Sequence, residues 1–396
     1  MPQPSGHPVP RHAVPLIGLA VCAVGLATTL PLPLYGLYAA RGGYGAGALA
    51  LAFACYAATL IVTAPLLGPL PDRIGRRPCV LLGVALAALS TLALSLAPGL
   101  PALALARVAQ GLGMGCVTGA AAAWAAELAG GAAEGSRRAA RVIAAATIGS
   151  FGVGGMLTLA AVIAWPAMEP PVTFAAHLAF AALVLAAVAR LPETLAPGQG
   201  GQGGGWLRRP AFPRGTLPAT LAILPGWGTT GTILTSVQAA MTAQGMPLAG
   251  PLAGCTMMLV GVAAQRALAG IAPQRAVRIG LGILVPGAAL TLWSAGAGRI
   301  WPLVGGAVVV GIGVYGFIYL GGLAAVAEAA RPEERARAVA GYFVVAHLGF
   351  SAVPLIVGLA VDRFGASAAL AGMWGAVALT AAALALAIRP VSARSG

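Results

Sequence analysis

Gly68-Pro69-Leu70-Pro71-Asp72-Arg73-Ile74-Gly75-Arg76-Arg77 stands between two long apolar runs and places an acid, three arginines and two glycines in one short stretch. The pattern reads G-x-L-x-D-R-x-G-R-R. A turn this charged cannot sit in hydrocarbon, so it lies in water, and the apolar segments beside it run back into a bilayer as an antiparallel helix pair. Gly68 and Gly75 allow a sharp turn and close helix approach, and Asp72 sits where the second apolar run ends, in reach of a positive partner. The plainer reading is that these charges only set topology.

Working outward, the chain has 396 residues, of which 59% are hydrophobic and 8% charged. No soluble domain of this length keeps such a balance in solution, so the chain is expected to be an all-α integral membrane protein. Apolar stretches of about 18 to 25 residues suffice to cross a ~30 Å hydrocarbon core. Twelve are expected, at 14–38, 45–69, 78–97, 101–127, 139–165, 172–190, 216–241, 248–269, 277–297, 301–327, 337–361 and 366–388. The apolar run after Met1–Arg11 is too long for the core of a cleaved signal, and eleven further spans follow it.

Basic residues set the orientation, because loops rich in them stay on the cytoplasmic side. There is no lysine, and all 23 positive charges are arginine. With both termini cytoplasmic, 19 arginines face the cytoplasm, Arg41, Arg299 and Arg363 lie outside, and Arg107 falls within a span. The net charge of +14 is spread over alternate loops and reads as a topogenic signal with affinity for membrane lipid, not as a nucleic-acid surface. Cys22, Cys55, Cys79, Cys116 and Cys255 show no metal-ligand spacing and read as small core residues. No metal and no cofactor is expected.

The Gly-rich stretch Pro197–Gly205 is a flexible spacer. It divides the chain into an N-terminal six-helix bundle (1–195), a cytoplasmic linker (196–215) and a C-terminal six-helix bundle (216–396). At an offset of 200, Glu134, Arg137, Ala140, Ala146 and Gly149 match Glu334, Arg337, Ala340, Ala346 and Gly349. This is read as the trace of a duplication, with two pseudo-symmetric bundles about an axis along the membrane normal. The second half's equivalent of the charged loop, Gln265-Arg266 to Arg278, keeps its arginines and lacks the acid.

The Gly68–Arg77 pattern resembles the signature loop between the second and third helices of the major facilitator superfamily, and Leu191-Pro192-Glu193-Thr194 matches a tetrapeptide common at the end of that family's sixth helix. The resemblance implies a twelve-helix major facilitator fold and transport by alternating access. It also implies that Asp72 faces the N-terminus of the eleventh span, and that Glu127 pairs with Arg73, Arg76 or Arg77 in a latch that holds while the cytoplasmic side is closed. Arg107-Val108-Ala109-Gln110-Gly111-Leu112-Gly113 resembles the family's second motif, R-x-x-Q-G-x-G, and Pro31 and Pro33 resemble the proline pair in the first helix of twelve-span drug:proton antiporters. Two features depart from that branch: no acid lies well inside a span, and the antiporter hallmark G-P-x-x-G-G becomes Gly149-Ser150-Phe151-Gly152-Val153-Gly154-Gly155.

Arg107 lies about 10 Å into its helix, where a charge needs a watery cavity or a partner. It is a candidate anchor for an anionic group or a tuner of a proton carrier, unless it snorkels to the outer headgroups. Gln110 follows one turn on. Gly111 and Gly115 favour close helix packing, as does Gly149, while Pro31 and Pro33 bend the first span. His347, about 15 Å into the eleventh span, has the titration range for proton coupling, against a packing role. His177 is a weaker candidate. Gln238, Tyr315, Tyr319, Trp227 and Trp124 are polar or aromatic residues that can line a substrate pathway.

The function expected is secondary active transport across a bacterial inner membrane, by proton-coupled efflux of a small organic molecule or drug. The partners expected are that small molecule, a proton as coupling ion and membrane lipid, with the chain acting as a monomer. Uptake or exchange of a metabolite or organic anion is the alternative, with Arg107 as its anchor. The four histidines at 7, 12, 177 and 347 form no catalytic constellation and no nucleotide-binding motif is present, so neither an enzyme nor an ATP-driven pump is expected. A receptor or scaffold on the same fold is the reading outside transport.

Overall fold

The computed structural model describes residues 12–130, 133–195, 210–267 and 270–388. Most of the expected linker and both chain ends lie outside these. Among the described residues every regular element is helical. Twelve rods are labelled in chain order: α1 Ala13–Arg41, α2 Ala46–Leu67, α3 Arg76–Leu96, α4 Leu100–Leu128, α5 Ala133–Ala164 and α6 Val172–Val188. After the linker come α7, built from Leu217–Leu221, Ile223–Thr232, Ile233–Val237 and Gln238–Ala243, then α8 Ala249–Ala267, α9 Pro273–Ala297, α10 Ile300–Ala329, α11 Arg335–Phe364 and α12 Ala366–Ala387. Among the described residues nine helices are long and apolar enough to cross a membrane; α6 and the apolar part of α8 are shorter, and α7 is interrupted.

In hydrocarbon a backbone must satisfy its own hydrogen bonds, which is why continuous apolar sequence becomes helix throughout. Helix ends differ most from expectation at the arginine-rich end. There α5 and α9 begin at Ala133 and Pro273, ahead of the expected 139 and 277, because the helix continues through charged residues already in water. Some of the rods are interrupted along their length. Pro31 and Pro33 turn α1 into a short 3-10 segment at Leu32–Leu34. Ile233–Val237 in α7 and Ile312–Tyr319 in α10 wind as π-helix, a form that gathers at functional sites.

The buried apolar side chains form two clusters. One is confined to the arginine-rich half of α1–α6 and includes Ile17, Val80, Val117, Trp124 and Val188. The other runs without a break from the opposite half of α1–α6, through Tyr35, Phe53, Leu103 and Phe174, into Met241, Met257, Leu284 and Tyr342 of the later helices. The two sets of helices therefore pack together at the end away from the Gly68–Arg77 loop. They meet where α2 packs on α11, α5 on α8, and the end of α1 on the end of α7.

Candidate functional site

The charged loop begins as α2 stops at Leu67 and a single helical turn, Leu70–Ile74, carries Asp72 and Arg73. Gly68 lies in the bend before that turn. Gly75 joins the turn to α3 at φ 102°, a conformation that glycine alone adopts freely, and a Cβ there would lie 2.5 Å from a Glu193 carboxylate oxygen. Arg76 donates to Asp72 at 2.6 Å and lies 3.3 Å from Glu127, whose other oxygen accepts from the Thr194 hydroxyl. Arg77 donates to the carbonyl of Leu191 at 3.1 Å. Glu193 accepts the backbone N–H groups of Arg76 (3.1 Å) and Arg77 (2.9 Å), so it caps the exposed start of α3. Each of these contacts lies within residues 1–195, and together they bind the loop to the end of α4 and to the segment that follows α6.

A second group of polar residues is buried. Pro31 has no N–H, so the Ala27 carbonyl one turn earlier loses its helical donor. The Gln110 side-chain amide fills that vacancy, donating to Ala27 at 2.8 Å. Beside it Arg107 donates to the Thr28 carbonyl and to the Gln110 side-chain oxygen, each at 3.1 Å. The proline pair of α1 and the R-x-x-Q pair of α4 are thus two sides of one hydrogen-bond arrangement. Arg107 is 2% exposed and does not snorkel outward. Its guanidinium carbon sits 4.8 Å from the centre of the Phe53 ring, 5.1 Å from Tyr56 and 5.3 Å from Tyr35. Among the described residues it pairs with no carboxylate, and its Nε has no hydrogen-bond partner.

The third group belongs to the later helices and meets the second through aromatic rings. His347 donates from Nδ1 to the Phe343 carbonyl at 2.7 Å, since a carbonyl can only accept. In the neutral ring this leaves Nε2 as the acceptor. The His347 ring lies 5.2 Å from Trp227, edge-on, and 6.4 Å from Tyr56. Trp227 stacks on Tyr319 at 6.1 Å and tilts against Phe350 at 5.3 Å, and Phe350 meets Phe53 at 4.7 Å. Tyr56 and Phe53 therefore touch both the arginine of one half and the aromatic group of the other. Nothing local in the sequence points to Tyr35, Phe53, Tyr56 or Phe350; their spacing is meaningful only once α1, α2 and α11 are side by side.

Gln238 ends the π segment of α7, 1% exposed, with neither amide atom paired among the described residues. It packs on the bare backbones of Gly36 and Gly250. Tyr315 lies in the π segment of α10, where a Cβ on Gly261 of α8 would be 2.7 Å from its ring. The end of that segment is held by Tyr342, whose buried hydroxyl donates to the carbonyls of Ile318 (3.2 Å) and Tyr319 (3.1 Å).

Several expectations need correction. His177 is a packing residue: its Nε2 donates to the Ala23 carbonyl at 2.9 Å and its Nδ1 accepts from Thr91 at 3.0 Å, away from the aromatic junction. Trp124 is fully buried in the arginine-rich half, donates to the Pro192 carbonyl at 3.1 Å and packs in the cluster of Ile17, Val80 and Val117, apart from the aromatic junction. Gly111 and Gly115 do permit close packing, with a Cβ on Gly111 falling 2.8 Å from the Tyr56 carbonyl. Gly149 does not, because a Cβ there would meet nothing within 4 Å, whereas Gly349, 200 residues later, abuts Leu224.

Residues 17–318 match the family model described as Major Facilitator Superfamily. Solved structures of transporters share the fold, among them the following three. The nucleoside transporter NupG is 12% identical, with a TM-score of 0.75 over 95% of this chain and 100% of its own. The human organic anion transporter MFSD10 (TETRAN) is 21% identical, with 0.64 over 94% and 99%. The xylose transporter XylE from E. coli, in an inward open conformation, is 16% identical, with 0.69 over 96% and 97%. No curated protein matches the sequence.

Proposed function

The chain belongs to the major facilitator superfamily of transporters, and from that premise we propose that it moves a small organic molecule by alternating access, coupled to protons and in the direction of export. Residues 1–195 and 216–396 act as the two rocking bodies, joined through 196–215. All twelve helices cross the membrane, with both termini in the cytoplasm of a bacterial cell, and the chain works as a monomer. The observation that carries this reading is the junction of the two halves, where His347, Trp227, Tyr319 and Phe350 meet Tyr56, Phe53 and Arg107. A solute held there touches both bodies, so their rocking changes the side to which it is open. His347 Nε2 is the proton acceptor at that junction, and Gln238, Tyr315 and Tyr319 supply polar edges. The loop around Asp72, Arg73, Arg76, Arg77 and Glu127 acts as the cytoplasmic gate.

The test is flux in proteoliposomes under an imposed pH gradient. Wild type responds to the gradient and His347→Ala does not; a gradient response that persists in His347→Ala removes His347 as proton carrier.

A second reading is favoured by one observation. Arg107 is a buried cation without a carboxylate among the described residues, and it suits a solute that brings its own negative charge. Uptake or exchange of an organic anion follows, in line with the substrate class named for MFSD10.

A further inference from the structure

The signature spacing occurs twice. Gly68-x-x-x-Asp72-Arg73-x-Gly75 is matched at an offset of 290 by Gly358-x-x-x-Asp362-Arg363-x-Gly365, at the end of α11 and on the opposite side of the molecule. The backbones match as well. Gly75 (φ 102°, ψ 160°) and Gly365 (φ 84°, ψ 158°) each end one helix and begin the next.

The two acids are used differently, for a reason visible one helical turn on. Asp72 has Arg76 four residues later and binds it. Asp362 has Ala366 there. Its carboxylate instead crosses to the other half of the chain, accepting the backbone N–H of Ala46 at 2.8 Å on one oxygen and of Gly47 at 2.9 Å on the other. These are the first N–H groups of α2, which have no helical acceptor and carry the positive end of the helix dipole. The two helix ends approach this closely because three side chains are missing. A Cβ on Gly45 or Gly47 would fall 2.5 or 2.7 Å from an Asp362 oxygen, and one on Gly358 would fall 2.7 Å from the Ala46 carbonyl. The contact lies at the end where the two halves share one continuous buried cluster.

We infer that Asp362 is an outer latch, a second copy of the signature motif that holds the extracellular side shut by capping α2 from α11 and lets go when that side opens. The inference rests on the alternating-access reading above. It differs from the cytoplasmic loop in mechanism. The bond is from a side chain to a helix end, so opening needs no arginine partner to be found elsewhere; water replaces the carboxylate on the two N–H groups.

The test is a distance distribution by electron spin resonance between labels on Trp165→Cys and Trp301→Cys, exposed sites in different halves and away from the latch. The five native cysteines are replaced by alanine. Wild type in detergent gives a short, outer-closed distance and a longer, outer-open one. Asp362→Asn raises the long-to-short ratio about threefold, the effect of removing a negative charge from the positive end of a helix. Gly358→Ala does the same by forcing the backbones apart while leaving the carboxylate in place, so the test survives if one variant folds poorly. Asp72→Asn shifts the ratio the other way. Unchanged ratios in both Asp362→Asn and Gly358→Ala, or shifts of the same sign in Asp362→Asn and Asp72→Asn, overturn the latch alone. A single unvarying distance in wild type and all variants overturns alternating access itself.

Discussion

The guanidinium of Arg107 lies 5.1 Å from the centre of the Tyr56 ring, and that same ring lies 6.4 Å from His347 on the other half of the molecule. A buried cation is costly unless its surroundings answer the charge. Here three ring faces and two oxygen acceptors do so in part, with Nε left over. The residue is therefore held by shape as much as by charge.

Lysine does not replace it. A compact ammonium has neither the planar fork that reaches Thr28 and Gln110 nor the flat face that stacks on rings. Titration with an aromatic carboxylate such as benzoate, followed by Trp227 fluorescence, is expected to show saturable binding in wild type and a loss of at least about tenfold in Arg107→Lys and Arg107→Ala, since a charge-assisted bond contributes about 1.5–3 kcal/mol. Equal affinity in all three proteins would exclude Arg107 as an anion anchor.

Gly111 and Gly149 make a contrasting pair on neighbouring helices. Gly111→Ala pushes a methyl to 2.8 Å from the Tyr56 carbonyl and is expected to cost about 1–3 kcal/mol. Gly149→Ala meets open space within a helix and is expected to stabilise by about 0.4–1 kcal/mol. Thermal melting in detergent separates the two signs; a melting temperature lowered equally by both substitutions contradicts the packing described.

Glu193 carries the turn into α3 through four backbone N–H groups, those of Arg76, Arg77, Thr194 and Leu195. Glu193→Ala should destabilise by about 0.5–2 kcal/mol, the range for a lost cap. Glu134→Ala, in the first turn of α5, serves as the surface comparison and is expected to stay within about 0.5 kcal/mol of wild type. Denaturation by urea reads both. Indistinguishable midpoints would mean that Glu193 is a bystander.

Tyr342→Phe keeps the ring and removes only the hydroxyl that donates to Ile318 and Tyr319. Leaving those buried carbonyls without their donor costs about 1–3 kcal/mol. Hydrogen exchange should quicken in the π segment Ile312–Tyr319 more than in α3, which carries none of the acceptors of the Tyr342 hydroxyl. Uniform exchange across both would locate the effect elsewhere.

Much of the fold is legible in the amino-acid sequence. The expected spans and the observed helices coincide to within a few residues over most of the chain, and the Gly68–Arg77 loop, the proline pair and the R-x-x-Q-G run each sit where their chemistry matters. The differences share a cause. His177, Trp124 and Gly149 are candidates by residue type and depth, and depth says nothing about which way a side chain points. No local pattern gives Asp362 a partner, because that partner is a pair of backbone N–H groups 315 and 316 residues away. The π segments leave no mark in the sequence, since an extra residue in a turn does not change apolar composition.

The all-helical character of this membrane chain, the ends of its helices and the side on which its arginines gather all follow from the order of its residues. Those are local properties, dictated by the cost of exposing backbone or charge to hydrocarbon. The turn of Arg107 toward Phe53 and Tyr56, the meeting of His347 with Trp227 and the capping of α2 by Asp362 arise only when the helices are assembled. Nearly every face of these helices is apolar, so periodicity does not mark an inward side; the glycines and rings that decide it do so only in contact with a neighbour.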